Sequence, residues 1–305
     1  MLPSLLTTLG FSLSVIFATR SVKLLGGPTA NVARLALAAF LLGMWAHGFG
    51  GGLGGVGLPW FFLSGIVGFA LGDTALFGAL QRIGPRLTIL LTQCLAAPIA
   101  ASVEWAWLGT RLKPTEFVCS TIILAGVALA LAPDRSFEGS RRTFWTGVLC
   151  GIGSAAGQAL GAVISRKANS VSEAAGMMVD GGTAAYQRIL AGLLVTALSF
   201  VFVKQMRPEP GTVGAAQWKR AWPLVIANAL AGPTLGVACY QWALRTTASG
   251  IVLPIVATSP LVTMLLTWLI DGERPTRRVA WGGLIAVAGA VGLKVPWETL
   301  GMNVR

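Results

Sequence analysis

The stretch SGIVLPIVATSPLVTMLLTWLI, residues 249–270, runs for 22 positions without a charged side chain. About 20 mostly apolar residues in a helix cross the hydrocarbon core of a bilayer, so this segment predicts a membrane span. The segments on either side read alike, Trp222–Leu244 before it and Val279–Val295 after it. Further upstream the same pattern gives Leu2–Thr19, Thr29–His47, Pro59–Leu80, Pro85–Leu108, Thr115–Ala132, Trp145–Ser165 and Thr183–Val203. That makes ten expected spans. Lipid offers no water to unsatisfied backbone groups, so the expected fold is an all-α integral membrane bundle.

Composition agrees. Charged residues make up 11% of the chain, against roughly 25% in soluble domains. Hydrophobic residues make up 54%, and the mean hydropathy is +0.73. The net charge of +12 does not point to nucleic acid, because the 23 Lys and Arg are scattered among short connections. Such residues set topology and meet anionic lipid. Leu2–Ala18 reads as the first span rather than an exported leader, since no basic segment precedes it. Cys94, Cys119, Cys150 and Cys239 lie in apolar stretches with no CxxC pair, and His47 is the sole histidine. No metal centre, redox centre or other cofactor is expected. The glycine-dense turn 50–57 lacks a P-loop Lys and reads as a flexible link.

The second five spans echo the first five. Ala79-Leu80-Gln81-Arg82 returns as Ala243-Leu244-Arg245, and Gly72-x-Thr74 returns as Gly232-x-Thr234. Pro98 in the fourth span matches Pro260 in the ninth, Arg34-Leu35 matches Arg188-Ile189, and Ala125-Gly126-Val127 matches Ala288-Gly289-Ala290. Gly109-Thr110-Arg111-Leu112-Lys113-Pro114 is echoed by Gly272-Glu273-Arg274-Pro275. Five spans per half force the second half to enter the membrane in the opposite sense. Inverted repeats of this kind place a shared site near the midplane. The expected organisation is a first repeat over 1–133, a connection over 134–144, a second repeat over 145–296 and a tail over 297–305.

On these residues the chain resembles the drug/metabolite transporter superfamily, and within it the EamA-like branch. The likeness extends over nearly the whole chain in two copies. It departs where Thr110 replaces the turn acid of Glu273, and where Phe11-Ser12-Leu13-Ser14 replaces the Trp-Gly-Ser of the family's first span. The resemblance implies ten helices around a central cavity and transport of small metabolites such as amino acids, nucleotide-linked sugars or toxic cations. The expected location is the cell (inner) membrane, with a small-molecule substrate and lipid as partners and no nucleic acid. It also suggests both termini in the cytoplasm. The loop charges, 14 on the side of the 1–2 connection against seven opposite, place them outside. A reporter fused at Arg305 decides between the two.

Charge inside a bilayer is costly and usually faces protein or a water-filled path. Asp73 sits deep in the third span, where it reads as a proton-coupling and substrate-binding acid or as a fixed partner for Arg34 or Arg188. Glu104, late in the fourth span, reads as a second coupling acid or as an interfacial residue near Arg111. Arg34 and Arg188 open equivalent spans, where long side chains snorkel to headgroups; they read as architectural charges or as anchors for an anionic substrate. Ser14, Gln93, Gln158 and Ser259 can hydrogen-bond a solute or join helices, and Tyr240 and Trp242 can wall a cavity. Pro98, Pro233, Pro254 and Pro260 interrupt spans; each frees a backbone carbonyl and offers a hinge, or merely curves the helix.

Three functions follow from this reading. The first is a secondary carrier that moves a small metabolite by alternating access, with proton coupling through Asp73. The second is a lipid flippase or a channel. The third is a membrane-embedded lipid-modifying enzyme, which the absence of HExxH and of a nucleophile–base pair argues against.

Overall fold

The computed structural model describes residues 1–132, 140–206, 214–271 and 276–293. The Gly272–Pro275 turn, the tail 297–305 and most of the connection 134–144 lie outside the described residues. The elements are α1 (Leu2–Leu25), α2 (Gly27–Gly48), α3 (Leu58–Gly65), α4 (Asp73–Leu108), α5 (Pro114–Leu131), α6 (Arg141–Ala174), α7 (Gly181–Met206), α8 (Ala215–Ala229), α9 (Val237–Thr246), α10 (Ser249–Val256), α11 (Ser259–Asp271) and α12 (Arg277–Gly292). A π-helical segment, Ile66–Gly72, joins α3 to α4, and a second, Leu230–Gly236, joins α8 to α9. Among the described residues there is no strand.

Nine stretches of the described residues are long and apolar enough to cross a membrane, and they coincide with the first nine predicted spans. The tenth prediction is only partly met. Its helix, α12, covers 16 residues, or about 24 Å at helical rise, short of a full hydrocarbon core. The sixth helix is longer than expected and runs on through Arg166–Ala174, since no breaker occurs until Gly176 at φ +72°. Helical backbone also continues through Gly84–Pro85, where a turn was expected. Pro85 is the thirteenth residue of that helix, where a proline removes one helical hydrogen bond.

The chain forms two compact units that cut across the two sequence halves. One comprises Met1, Leu71–Val163 and Thr246–Arg305, and the other Leu2–Ala70 and Ile164–Arg245.

In the first unit α5 and α12 pack as a seam of small residues. A methyl on Gly126 would lie 2.5 Å from the Gly282 carbonyl oxygen and 2.6 Å from the Ala286 nitrogen. A methyl on Gly289 would lie 2.8 Å from the Cys119 carbonyl oxygen and 2.9 Å from the Ile123 nitrogen. Adding 163 to 119, 123 and 126 gives 282, 286 and 289, so the two sets of contacts are the same contact made twice. Low numbers on α5 meet high numbers on α12, which makes the helices antiparallel. Ile123, Val127, Leu131, Ile255 and Ala286 form the core beside the seam. Arg278 closes one end by donating from Nε to the Leu129 carbonyl at 3.0 Å.

The ninth span is broken in this unit. α10 ends at Val256 and α11 begins at Ser259. Pro254 has no N–H for the Gly250 carbonyl four residues back, and Ser120 Oγ of α5 donates to that carbonyl at 3.2 Å. Pro260 likewise leaves the Val256 carbonyl, which accepts from Ser259 Oγ at 2.6 Å. Both freed carbonyls are therefore occupied within the protein, not offered to a solute as the prolines alone suggested.

In the second unit α2 lies against α7, α3 against α7, and α1 against α8 and its π segment. Leu35, Ala39, Leu42, Ala185, Ile189 and Val237 form its central core. The glycine-dense turn is not the flexible link that composition suggested. Gln187 Nε2 donates to the carbonyls of Gly52 at 2.9 Å and Gly54 at 3.1 Å. A methyl on Gly50 would overlap Thr183 Oγ1, and Gly52 takes φ +58°. Gly50 is needed because α7 leaves no room for a side chain there, and Gly52 because of its positive φ, whereas Gly51 faces open space.

Candidate functional site

Arg188 is the eighth residue of α7, so it lies about 10 Å along the helix at 1.5 Å per residue. It does not snorkel. Its side chain is only 6% exposed, enclosed within the second unit. The guanidinium carbon sits 5.5 Å from the Phe69 ring centroid and 5.7 Å from that of Tyr240. These are cation–π distances, and the contact strengthens as water is excluded. Phe11 of α1 extends the aromatic wall, its ring 6.2 Å from Tyr240.

Local structure explains why this cage forms. Gly68 and Phe69 belong to the π segment Ile66–Gly72. A methyl on Gly68 would lie 2.7 Å from Arg188 Nη2, so only glycine there admits the guanidinium without displacement. Tyr240 sits on α9, directly beyond the second π segment. Thus the two rings beside one buried cation belong to residues at or next to the two π-helical interruptions. Single turns of π-helix recur at functional sites because they re-aim side chains within a span.

Arg34, the sequence mate of Arg188, behaves differently. It is half-buried and donates from Nε to Asn31 Oδ1 at 2.8 Å on its own helix. The pairing seen in the sequence therefore does not carry one common role.

The structure disperses the remaining predicted residues. Tyr240 joins the cage, but Trp242 is exposed and does not. Ser14 donates to Asn228 Oδ1 at 2.6 Å and ties α1 to α8, so its hydroxyl joins helices. Gln93 and Gln158 are half-buried in the first unit. Asp73 is half-buried at the start of α4, immediately after the π segment. Pro233 lies within the second π segment, whereas Pro98 lies in unbroken helix.

Glu104 does not reach an interface. It is 1% exposed and accepts the Ser249 backbone N–H at 2.8 Å, with the Ser249 hydroxyl on the same oxygen. A carboxylate at a helix N-terminus satisfies an orphan donor and complements the dipole, so Glu104 caps α10.

Sequence reasoning missed Phe69 and Asp180, and it read Gln241 only as one of several polar residues able to bind a solute or join helices. Phe69 lay in an apolar run with nothing to distinguish it. Gln241 is buried, and neither of its amide atoms has a partner among the described residues. Asp180 had a readable signal, an acid just before an apolar run, which is the signature of an N-cap. Its Oδ1 accepts from the Gly182 and Thr183 N–H groups at 2.9 and 3.0 Å and from Trp45 Nε1 of α2 at 2.8 Å. Its Oδ2 accepts from Thr183 Oγ1 at 2.5 Å. Partial burial raises the Asp180 pKa, but these hydrogen bonds outweigh it and hold the carboxyl below its ordinary 3.8.

A solved crystal structure of another protein superposes with a TM-score of 0.71 over 97% of this chain and 98% of that one. The two are 20% identical, so the likeness shows the fold alone. No curated protein matches the chain. The EamA-like transporter family model matches residues 1–132 and again 145–294. With two family-matching halves, and nine stretches among the described residues long and apolar enough to cross a membrane, the chain belongs to the EamA-like transporter family, a multi-pass membrane transporter group of the drug/metabolite transporter superfamily.

Proposed function

We propose that this transporter is a secondary carrier, not an enzyme, for a small organic metabolite in the cell (inner) membrane, working by alternating access. Ten spans in two inverted repeats would enclose a central path.

The observation that carries the reading is the α5–α12 seam. Helices at the same ordinal position in the two halves meet antiparallel, and their contacts repeat under a shift of 163 residues. This is the packing that an inverted repeat demands. The π segments support it, because they interrupt the third and eighth spans, again equivalent positions. Two related halves can exchange an outward-open for an inward-open arrangement by trading conformations between equivalent elements. Proton coupling through Asp73 belongs to the same proposal, since it sits where the first π segment gives way to regular helix.

The test is reconstitution into liposomes after a thermal-shift screen of amino acids, sugars, nucleotides and organic cations. Solutes that raise the melting temperature should enter the vesicles by saturable, counterflow-competent transport. A pH gradient should drive accumulation in the wild type and not in Asp73→Asn. Ion conductance in planar bilayers, or hydrolysis of labelled lipid, would overturn the carrier reading.

A further inference from the structure

We infer that one end of the α1–α8 pair is a binding site for an anionic glycerophospholipid, whose phosphate is held by Lys23, Lys219 and Arg220. The inference is independent of the carrier reading, since nothing in it requires transport.

These three cations come from the two halves of the chain, and packing brings them to one place. Ser14 of α1 bonds Asn228 of α8, and further along α1 Leu25 shares a small core with Ala221 and Val225. Rising numbers on α1 meet falling numbers on α8, so the two helices run antiparallel. Lys23, in the last turn of α1, therefore lies at the same end as Lys219 and Arg220, the fifth and sixth residues of α8. All three are exposed. The start of α2 packs on this end too, through Ala30. None of α1, α2 and α8 contains an acidic residue, so the helices that gather the charge do not neutralise it. Basic patches between membrane helices attract anionic headgroups.

The neighbouring side chains favour a lipid over a dissolved anion. Trp218 and Trp222 flank the α8 cations, their ring centroids 5.5 Å apart, and tryptophan is enriched at headgroup depth. Trp222, Ile226 and Leu230 are exposed and follow one another at four-residue steps, which puts them on one face of the span. A phosphate among the cations leaves an acyl chain to lie along that stripe. Arg82 and Arg278 behave differently: they donate to the carbonyls of Gly78 and Leu129. A basic residue near a span end is therefore not by itself such a site.

The experiment titrates purified full-length protein in detergent with phosphatidylglycerol, phosphatidylcholine or glycerol phosphate. Bound lipid is counted by native mass spectrometry, and stability is read by thermal unfolding. Phosphatidylglycerol should fill one site and raise the melting temperature, and the other two should do neither at the same concentration. Lys23→Gln, Lys219→Gln and Arg220→Gln should each weaken phosphatidylglycerol roughly fivefold, the factor for one basic residue at an anionic surface. The triple variant should lose roughly 100-fold. Because the three side chains are exposed, the lipid-free melting temperatures should stay at the wild-type value. Arg141→Gln/Arg142→Gln removes two exposed cations from the start of α6 and should leave the affinity unchanged. The inference is overturned if phosphatidylcholine or glycerol phosphate binds as tightly as phosphatidylglycerol, or if the folded triple variant keeps wild-type affinity. It is equally overturned if the α6 pair weakens binding as much as Lys219→Gln/Arg220→Gln does, which would reduce the effect to overall charge.

Discussion

Gly126→Ala probes the seam most directly. The new methyl would sit 2.5 Å from the Gly282 carbonyl oxygen and 2.6 Å from the Ala286 nitrogen, where ordinary contact begins at 3.4 Å. Both obstacles are backbone, so no rotamer change relieves the overlap. The helices must separate by roughly 0.9 Å, and the packing lost along Ile123, Val127 and Ala286 adds to the strain. Overpacking of this kind costs about 1–3 kcal/mol. Gly289→Ala meets backbone at 2.8–2.9 Å and should cost less. Gly282→Ala faces the Gly126 carbonyl oxygen at 2.5 Å, so its effect should match that of Gly126→Ala. The Gly126→Ala/Gly282→Ala double variant should cost less than the sum, because one separation relieves both overlaps. The assay is thermal unfolding of each variant in detergent, monitored by tryptophan fluorescence. Unchanged stability of Gly126→Ala, or full additivity in the double variant, would refute the shared antiparallel crossing on which the inverted repeat rests.

Other perturbations test the two units separately. Asp180→Ala removes the cap of α7 and its link to Trp45, and should cost about 1 kcal/mol. The depressed Asp180 carboxyl contributes stability that is complete above the ordinary carboxylate range and is lost as pH falls through its lowered value. Wild-type stability should therefore fall more steeply than that of Asp180→Ala in an acid titration below about pH 4. Glu104→Ala should destabilise by about 2 kcal/mol through the lost cap and the void, read as a lower melting temperature, whereas Glu104→Gln should retain most of the hydrogen bonding. Gln241→Leu should leave the ligand-free melting temperature unchanged or raise it, because a buried amide without partners costs about 1–3 kcal/mol.

Much of this protein could be read from the sequence because the membrane imposes a strong local rule. Apolar length and the scarcity of charge locate nine spans whatever they pack against, since a helix in lipid satisfies its own backbone. The duplication was legible for the same reason: Gly126 and Gly289, or Arg34 and Arg188, share local patterns that need no partner to be seen. What those residues touch was not legible. Arg34 and Arg188 look alike in sequence, yet one bonds Asn31 on its own helix and the other is caged by rings from distant spans. Pro254 and Pro260 announced freed carbonyls, but only the fold brought Ser120 and Ser259 to occupy them. Glu104 read as an interfacial or coupling acid until Ser249, 145 residues away, was found on its oxygen. The glycine turn read as slack until Gln187 was found holding it down. The physical reason is the same throughout. Transfer into lipid is decided residue by residue along the chain, whereas the partner of a buried polar group is decided by which helices approach, and that depends on packing that single-chain periodicity does not encode.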